Sequence, residues 1–134
     1  MKREELLTLL KNYIKSIDEN WNYITAPEVN NMGLDKFFLL DVRHPKDYKK
    51  GHIPNTTNIF WKRILEEKNL EKLPKNKKIL VICYVGHTAS QVLVILKLLG
   101  YNAKVLKFGM GLSPAVGVPV AGWMDYGLPV KNKN

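Results

Sequence analysis

The chain has 134 residues, 46% hydrophobic and 25% charged, the balance of one ordinary globular domain with a core of its own. Its single cysteine excludes an intramolecular disulfide and a resolving thiol within the chain. The net charge of +9 favours small anions, but the lysines collect in loops and tails such as Lys75-Asn76-Lys77-Lys78 and Lys131-Asn132-Lys133-Asn134. No basic stripe with interleaved aromatics points to nucleic acid.

Residues 3–17 place Leu6, Leu9, Leu10, Tyr13, Ile14 and Ile17 on one helical face, which predicts an amphipathic helix over residues 1–20 that packs on its own domain. A first short strand is expected at Tyr23-Ile24-Thr25, with Thr25 capping a helix that opens Ala26-Pro27-Glu28. Phe37 to Arg43 reads as a strong strand whose polar residues, Asp41 and Arg43, gather at its carboxyl end, where open α/β sheets build their sites. His44-Pro45 ends it, and Lys46 to Lys50 allows one helical turn.

A turn at Gly51-His52-Ile53-Pro54-Asn55 leads to a strand near Asn58-Ile59-Phe60, then a helix over Trp61 to Glu67 and a lysine-rich loop. Lys78 to Ile82 is an apolar, β-branched block that predicts a fully buried strand. A helix is expected over Ala89 to Leu99, ended by Gly100, and a last strand over Ala103 to Phe108. The stretch Phe108 to Met124 carries no charge but is broken by glycine and proline, so it predicts loop rather than a membrane span. Strands alternating with helices predict a parallel sheet covered on both faces. Trp21, Trp61 and Trp123 are expected to be packing anchors.

Cys83 stands where the buried strand gives way to a helix. A thiol there faces unpaired N–H groups and the positive end of the helix dipole, which favours the reactive thiolate. The loop Cys83-Tyr84-Val85-Gly86-His87-Thr88 can curl its amides toward one spot, with Gly86 giving the freedom to do so and Thr88 a hydroxyl for the helix cap or the bound group. His87 is placed to tune the thiolate. The competing reading of Cys83 is a small buried apolar residue. A cysteine phosphatase would want arginine at position 89 to clamp a phosphoryl group, and this chain has Ala89.

Several segments in order resemble the rhodanese family of sulfurtransferases. Asp41-Val42-Arg43-His44-Pro45 is similar to its first motif, Gly51-His52-Ile53-Pro54-Asn55-Thr56-Thr57-Asn58-Ile59 to its GHIP turn, and Cys83 to Thr88 to its active-site loop. Leu98-Leu99-Gly100-Tyr101 with Val105-Leu106 is similar to its helix end and next strand. Tyr84 stands where that family often has arginine, and Asn55 where it often has glycine.

The resemblance implies a three-layer α/β fold over residues 21–130. It has a central, mostly parallel five-stranded sheet with helices on both faces, plus the N-terminal helix and a Lys/Asn-rich tail at 131–134. It implies Cys83 as the catalytic nucleophile, Tyr84, Val85, Gly86, His87 and Thr88 as the substrate-binding loop, and Asp41 and Arg43 as supporting residues. His44 and His52 fall in segments the family uses for architecture. No cofactor or metal is implied. The expected partners are a small anionic sulfur donor, such as thiosulfate or a persulfide, and a cyanide or thiol acceptor, with a protein acceptor as a further option. A non-catalytic module that carries persulfide or binds a partner is the alternative. The absence of an evident signal peptide makes the cytoplasm the expected compartment, with a secreted or periplasmic form whose signal was removed left open.

Overall fold

A computed structural model describes residues 1–111 and 121–132. In chain order the elements are α1 (Arg3–Ser16), β1 (Tyr23–Ile24), α2 (Ala26–Met32), β2 (Phe37–Asp41), α3 (Pro45–Lys50), β3 (Thr57–Asn58), α4 (Glu67–Leu70), β4 (Lys78–Ile82), α5 (His87–Leu98) and β5 (Ala103–Leu106). The strands form one sheet in the order β1-β5-β4-β2-β3, and every pairing between them is parallel. The sheet is the expected one, and its named strands are wholly rather than mostly parallel. An isolated antiparallel bridge joins His52 to Lys131 outside it.

β2 and β4 make the centre, with Leu40 opposite Val81 and Asp41 opposite Ile82. Both faces of these strands are covered, so both sets of alternating side chains are apolar. Leu40, Val42, Ile79, Val81 and Cys83 pack on one face with Val92, Leu93 and Leu96 of α5 and with Ile59 and Ile64. Phe37, Leu39, Leu80 and Ile82 pack on the other with Ala26 and Val29 of α2, Ile53, Met110 and Trp123. Each fully buried side chain of this size contributes about 1.5–3 kcal/mol of transfer free energy. The alternation also decides where Cys83 goes, since its odd-numbered place aligns it with Ile79 and Val81 on the α5 face.

Thr25 caps α2 in a capping box: Glu28 N–H donates to Thr25 Oγ1 at 3.3 Å, while Thr25 N–H donates to Glu28 Oε1 at 3.2 Å. His44 caps α3 through Nδ1, which accepts from Lys46 N–H at 3.0 Å, and Pro45 takes the first helical position. α1 lies against α5, where Leu9, Tyr13 and Ile17 are half-buried and Lys97 Nζ donates to Ser16 O at 3.3 Å. Leu6, Leu10 and Ile14 of the same helix are exposed.

Three local expectations change. The helix expected over Trp61 to Glu67 is instead a 3-10 turn at Trp61–Arg63 followed by α4. The Arg63 carbonyl is taken by Glu66 N–H at 3.1 Å and by Asn69 Nδ2 at 2.7 Å, so no α-helical ladder runs through it. Trp61 N–H donates to Val42 O at 3.1 Å and pins this segment onto the sheet. Of the tryptophans only Trp123 is a packing anchor, fully buried with Nε1 donating to Pro129 O at 2.8 Å. Trp21 and Trp61 are exposed: Trp21 sits in a turn at φ 59, and Trp61 has Lys62 Nζ over its ring. Finally, α5 begins at His87 rather than Ala89 and Thr88 does not cap it. Most of the uncharged Phe108 to Met124 stretch lies outside the described residues, as does the end of the tail.

Candidate active site

The carboxyl ends of the neighbouring strands β2 and β4 bring Asp41, Arg43 and Cys83 to the same end of the sheet. Cys83 follows the last residue of β4 and is 1% exposed. Its Sγ accepts two backbone N–H groups, Gly86 at 3.1 Å and Ala89 at 3.2 Å. Gly86 is the N-cap of α5 at φ 102, a left-handed conformation that costs glycine little. The Ala89 amide belongs to the first turn of α5, whose N–H groups have no helical partner. The sulfur therefore does for α5 what a capping serine oxygen does elsewhere, while Ser90 Oγ turns back to Gly86 O at 2.7 Å.

Among the residues expected to bind substrate, Gly86 is the one whose amide meets the sulfur. The Ala89 amide, one residue beyond the loop as read from sequence, is the second donor. Its place at the start of the helix expected over Ala89 to Leu99 was the signal for it, and the residue is fully buried. His87 and Tyr84 are exposed, and Val85 and Thr88 half-buried. Among the described residues no cationic side chain bonds the sulfur, consistent with tyrosine at position 84.

A second support was not legible from motifs. The turn at 108–111 runs under the loop: Met110 N–H donates to Cys83 O at 3.0 Å and Gly111 N–H to Tyr84 O at 3.0 Å. These bonds fix the peptide planes on either side of Tyr84.

Asp41 and Arg43 form a buried pair. Arg43 Nη2 reaches Asp41 Oδ2 at 2.8 Å, Nε lies 3.1 Å from both carboxylate oxygens, and Nη2 also donates to Gly51 O at 2.9 Å. Asn58 Nδ2 donates to Asp41 O and Arg43 O, each at 3.0 Å. The charges serve architecture here, tying the β2 end to the Gly51 turn and β3. Asn55 in that turn takes φ 65, which asparagine tolerates. His52 stacks on Tyr48 with centroids 3.8 Å apart, and its Nδ1 lies 2.8 Å from Tyr48 O.

Tyr84 leans from the loop toward α3, where its hydroxyl donates to Asp47 Oδ2 at 2.6 Å and accepts from His44 N–H at 3.3 Å. Partial burial first, and the Asp47 carboxylate second, push the phenol above its ordinary range. The same bond holds the Asp47 carboxyl below its own. No cluster of three His, Cys, Asp or Glu side chains able to hold a metal occurs among the described residues, and no described helix is long and apolar enough to cross a membrane.

A parallel α/β sheet with one cysteine cradled at a strand-to-helix junction defines the class, and comparison with known proteins supplies the family. The model of the rhodanese-like domain matches residues 18–111, so the chain belongs to the rhodanese-like domain family. A rhodanese-related protein from Thermoplasma volcanium is 27% identical over 81% of this chain and 96% of its own, with a TM-score of 0.68. A rhodanese-like domain protein from Staphylococcus aureus is 26% identical over 75% of this chain and 98% of its own, TM-score 0.61. A Rhodopseudomonas palustris protein described as a possible tyrosine phosphatase shares the fold at TM-score 0.65 and 17% identity, over 92% of this chain and 91% of its own.

Proposed function

We propose that the protein is a rhodanese-type sulfurtransferase that moves a sulfane sulfur through a persulfide on Cys83. The observation that carries this reading is the pair of N–H donors, Gly86 and Ala89, aimed at the Cys83 sulfur from the start of α5. Cys83 thiolate attacks the outer sulfur of thiosulfate. A new S–S bond forms to Cys83, and the donor's S–S bond breaks with its electron pair leaving on sulfite. Cyanide then attacks the terminal sulfur of the persulfide. That S–S bond breaks, its pair returns to Cys83 and thiocyanate departs. This is covalent catalysis in two displacements and uses no second cysteine.

Backbone amides suit both states of the sulfur, because they need no proton exchange to stabilise negative charge and cost no reorganisation during reaction. Cys83 is 1% exposed, which favours small donors over bulky ones. That same burial is the observation favouring the second reading, a persulfide-carrying module that turns over slowly or not at all.

Thiocyanate formation from thiosulfate and cyanide separates the two. The enzyme reading expects turnover that disappears in Cys83→Ser. Absent turnover, together with stable uptake of one sulfur from a persulfide donor, supports the carrier.

A further inference from the structure

A groove of about 490 Å³ opens beside the loop end of the sheet, between the His44-Pro45 turn and the segment from Asn58 to Lys72. That volume is within the roughly 300–1,000 Å³ of small-molecule sites. Its lining combines apolar and cationic side chains. Ile59 is buried, Phe60 half-buried and Pro45 exposed, and Arg63, Lys68 and Lys72 are exposed.

No lining residue is acidic. Arg63 has one loose partner, Glu66, at 3.9 Å with both side chains largely exposed. Among the described residues Lys68 and Lys72 form no ion pair. The wall amide nitrogens are already engaged, since Asn58 Nδ2 donates to Asp41 O and Arg43 O and Asn69 Nδ2 donates to Arg63 O. His44 Nδ1 accepts from Lys46 N–H, so the proton of the neutral ring sits on Nε2, leaving that N–H as a further donor. The uncommitted charged groups of the lining are thus all cations, with the His44 Nε2–H as a neutral donor and the Asn58 and Asn69 amide oxygens as neutral acceptors.

We propose that this groove binds a small organic polyanion, a molecule with two or more carboxylate or phosphate groups on an apolar or planar body. Exposed ion pairs are individually weak and salt-screened, so a monoanion is poorly held and only a ligand that meets several cations at once is retained. The body of the ligand covers Ile59, Pro45 and Phe60. The site is distinct from the Cys83 cradle yet touches it: the His44 N–H of its wall bonds the Tyr84 hydroxyl, one residue from the cysteine.

Calorimetric titration of the wild-type protein at low ionic strength with ADP, benzene-1,3,5-tricarboxylate and inorganic phosphate tests this without reference to sulfur chemistry. Saturable binding of one ADP or one tricarboxylate per chain is expected, with inorganic phosphate weaker by about tenfold or more. The preferred probe distinguishes phosphate from carboxylate ligands. Lys68→Glu with Lys72→Glu should weaken binding about tenfold or more, whereas the charge-matched pair Lys11→Glu with Lys15→Glu on α1 should change it by less than about twofold beyond the net-charge effect. If the charge-reversed protein fails to fold, Lys68→Gln with Lys72→Gln replaces it with the same expected direction. The proposal is overturned if neither probe saturates, if inorganic phosphate binds as well, or if both charge-reversed pairs lose binding alike.

Discussion

Gly109 lies against the carbonyl of Cys83 so closely that a Cβ at position 109 would stand 2.4 Å from the Cys83 oxygen. Gly109 is also at φ 52, in the left-handed region. The active-site loop and the turn after β5 are therefore shaped to each other, backbone against backbone, with the Met110 and Gly111 amides closing the contact. Gly109→Ala combines a disfavoured backbone with a clash against a peptide that cannot move without moving the cysteine. A loss of at least about 2 kcal/mol is expected in urea unfolding. Any folded fraction should show an altered Cys83 alkylation rate.

Among the described residues Arg43 is the one charged partner of the fully buried Asp41 carboxylate. Removing it leaves an uncompensated charge in the core. Arg43→Met should cost about 3–5 kcal/mol, far more than an exposed pair is worth. An unfolding midpoint close to that of the wild type would mean that Asp41 is held by something other than this pair.

Tyr84→Phe deletes the hydroxyl that bridges the loop to α3. The expected loss is about 1 kcal/mol, the net worth of a hydrogen bond at a half-exposed site. Without that donor the Asp47 carboxyl should titrate higher than in the wild type, and carbon-detected NMR of Asp47 would show it. An unchanged Asp47 titration contradicts the bond.

Asp18, in the turn after α1, is tied to β5 through Lys104 and accepts from Asn20 and Asn22 N–H at 3.0 and 2.9 Å. The Lys104 bond first, then the Asn22 amide, holds its carboxyl at about 2, against an ordinary 3.8. A depressed carboxyl stabilises the fold above its unfolded value and loses that contribution as pH falls through the folded one. Asp18→Asn should therefore be less stable than wild type at neutral pH, with the difference shrinking between about pH 4 and pH 2. A constant difference across that window would show that the carboxylate charge is not what matters.

The sheet and its order of elements were legible because their signals are local. Lys78 to Ile82 has one reading as a buried strand, and Thr25 with Glu28 writes its own cap. The cysteine loop was legible for a similar reason, as a strand, a glycine and a helix in immediate succession. The supports of the loop were not. Gly109 and Met110 meet Cys83 across more than twenty positions of chain, and nothing in their own neighbourhood announces the partner. The Trp61 segment misled because its apolar spacing suits a helix, while its backbone bonds go to Val42 and Asn69 instead. The exposed Trp21 shows the same limit, since a tryptophan's burial depends on what packs over it.

The central claim is that the sulfur held by the Gly86 and Ala89 amides is a carrier of sulfane sulfur. Intact-protein mass spectrometry after brief exposure to thiosulfate, then again after cyanide, tests it most directly. A gain of one sulfur atom located on Cys83, absent from Cys83→Ser and removed by cyanide, is the expected result. A wild-type protein that stays at its original mass with thiosulfate and with a persulfide donor alike would contradict it.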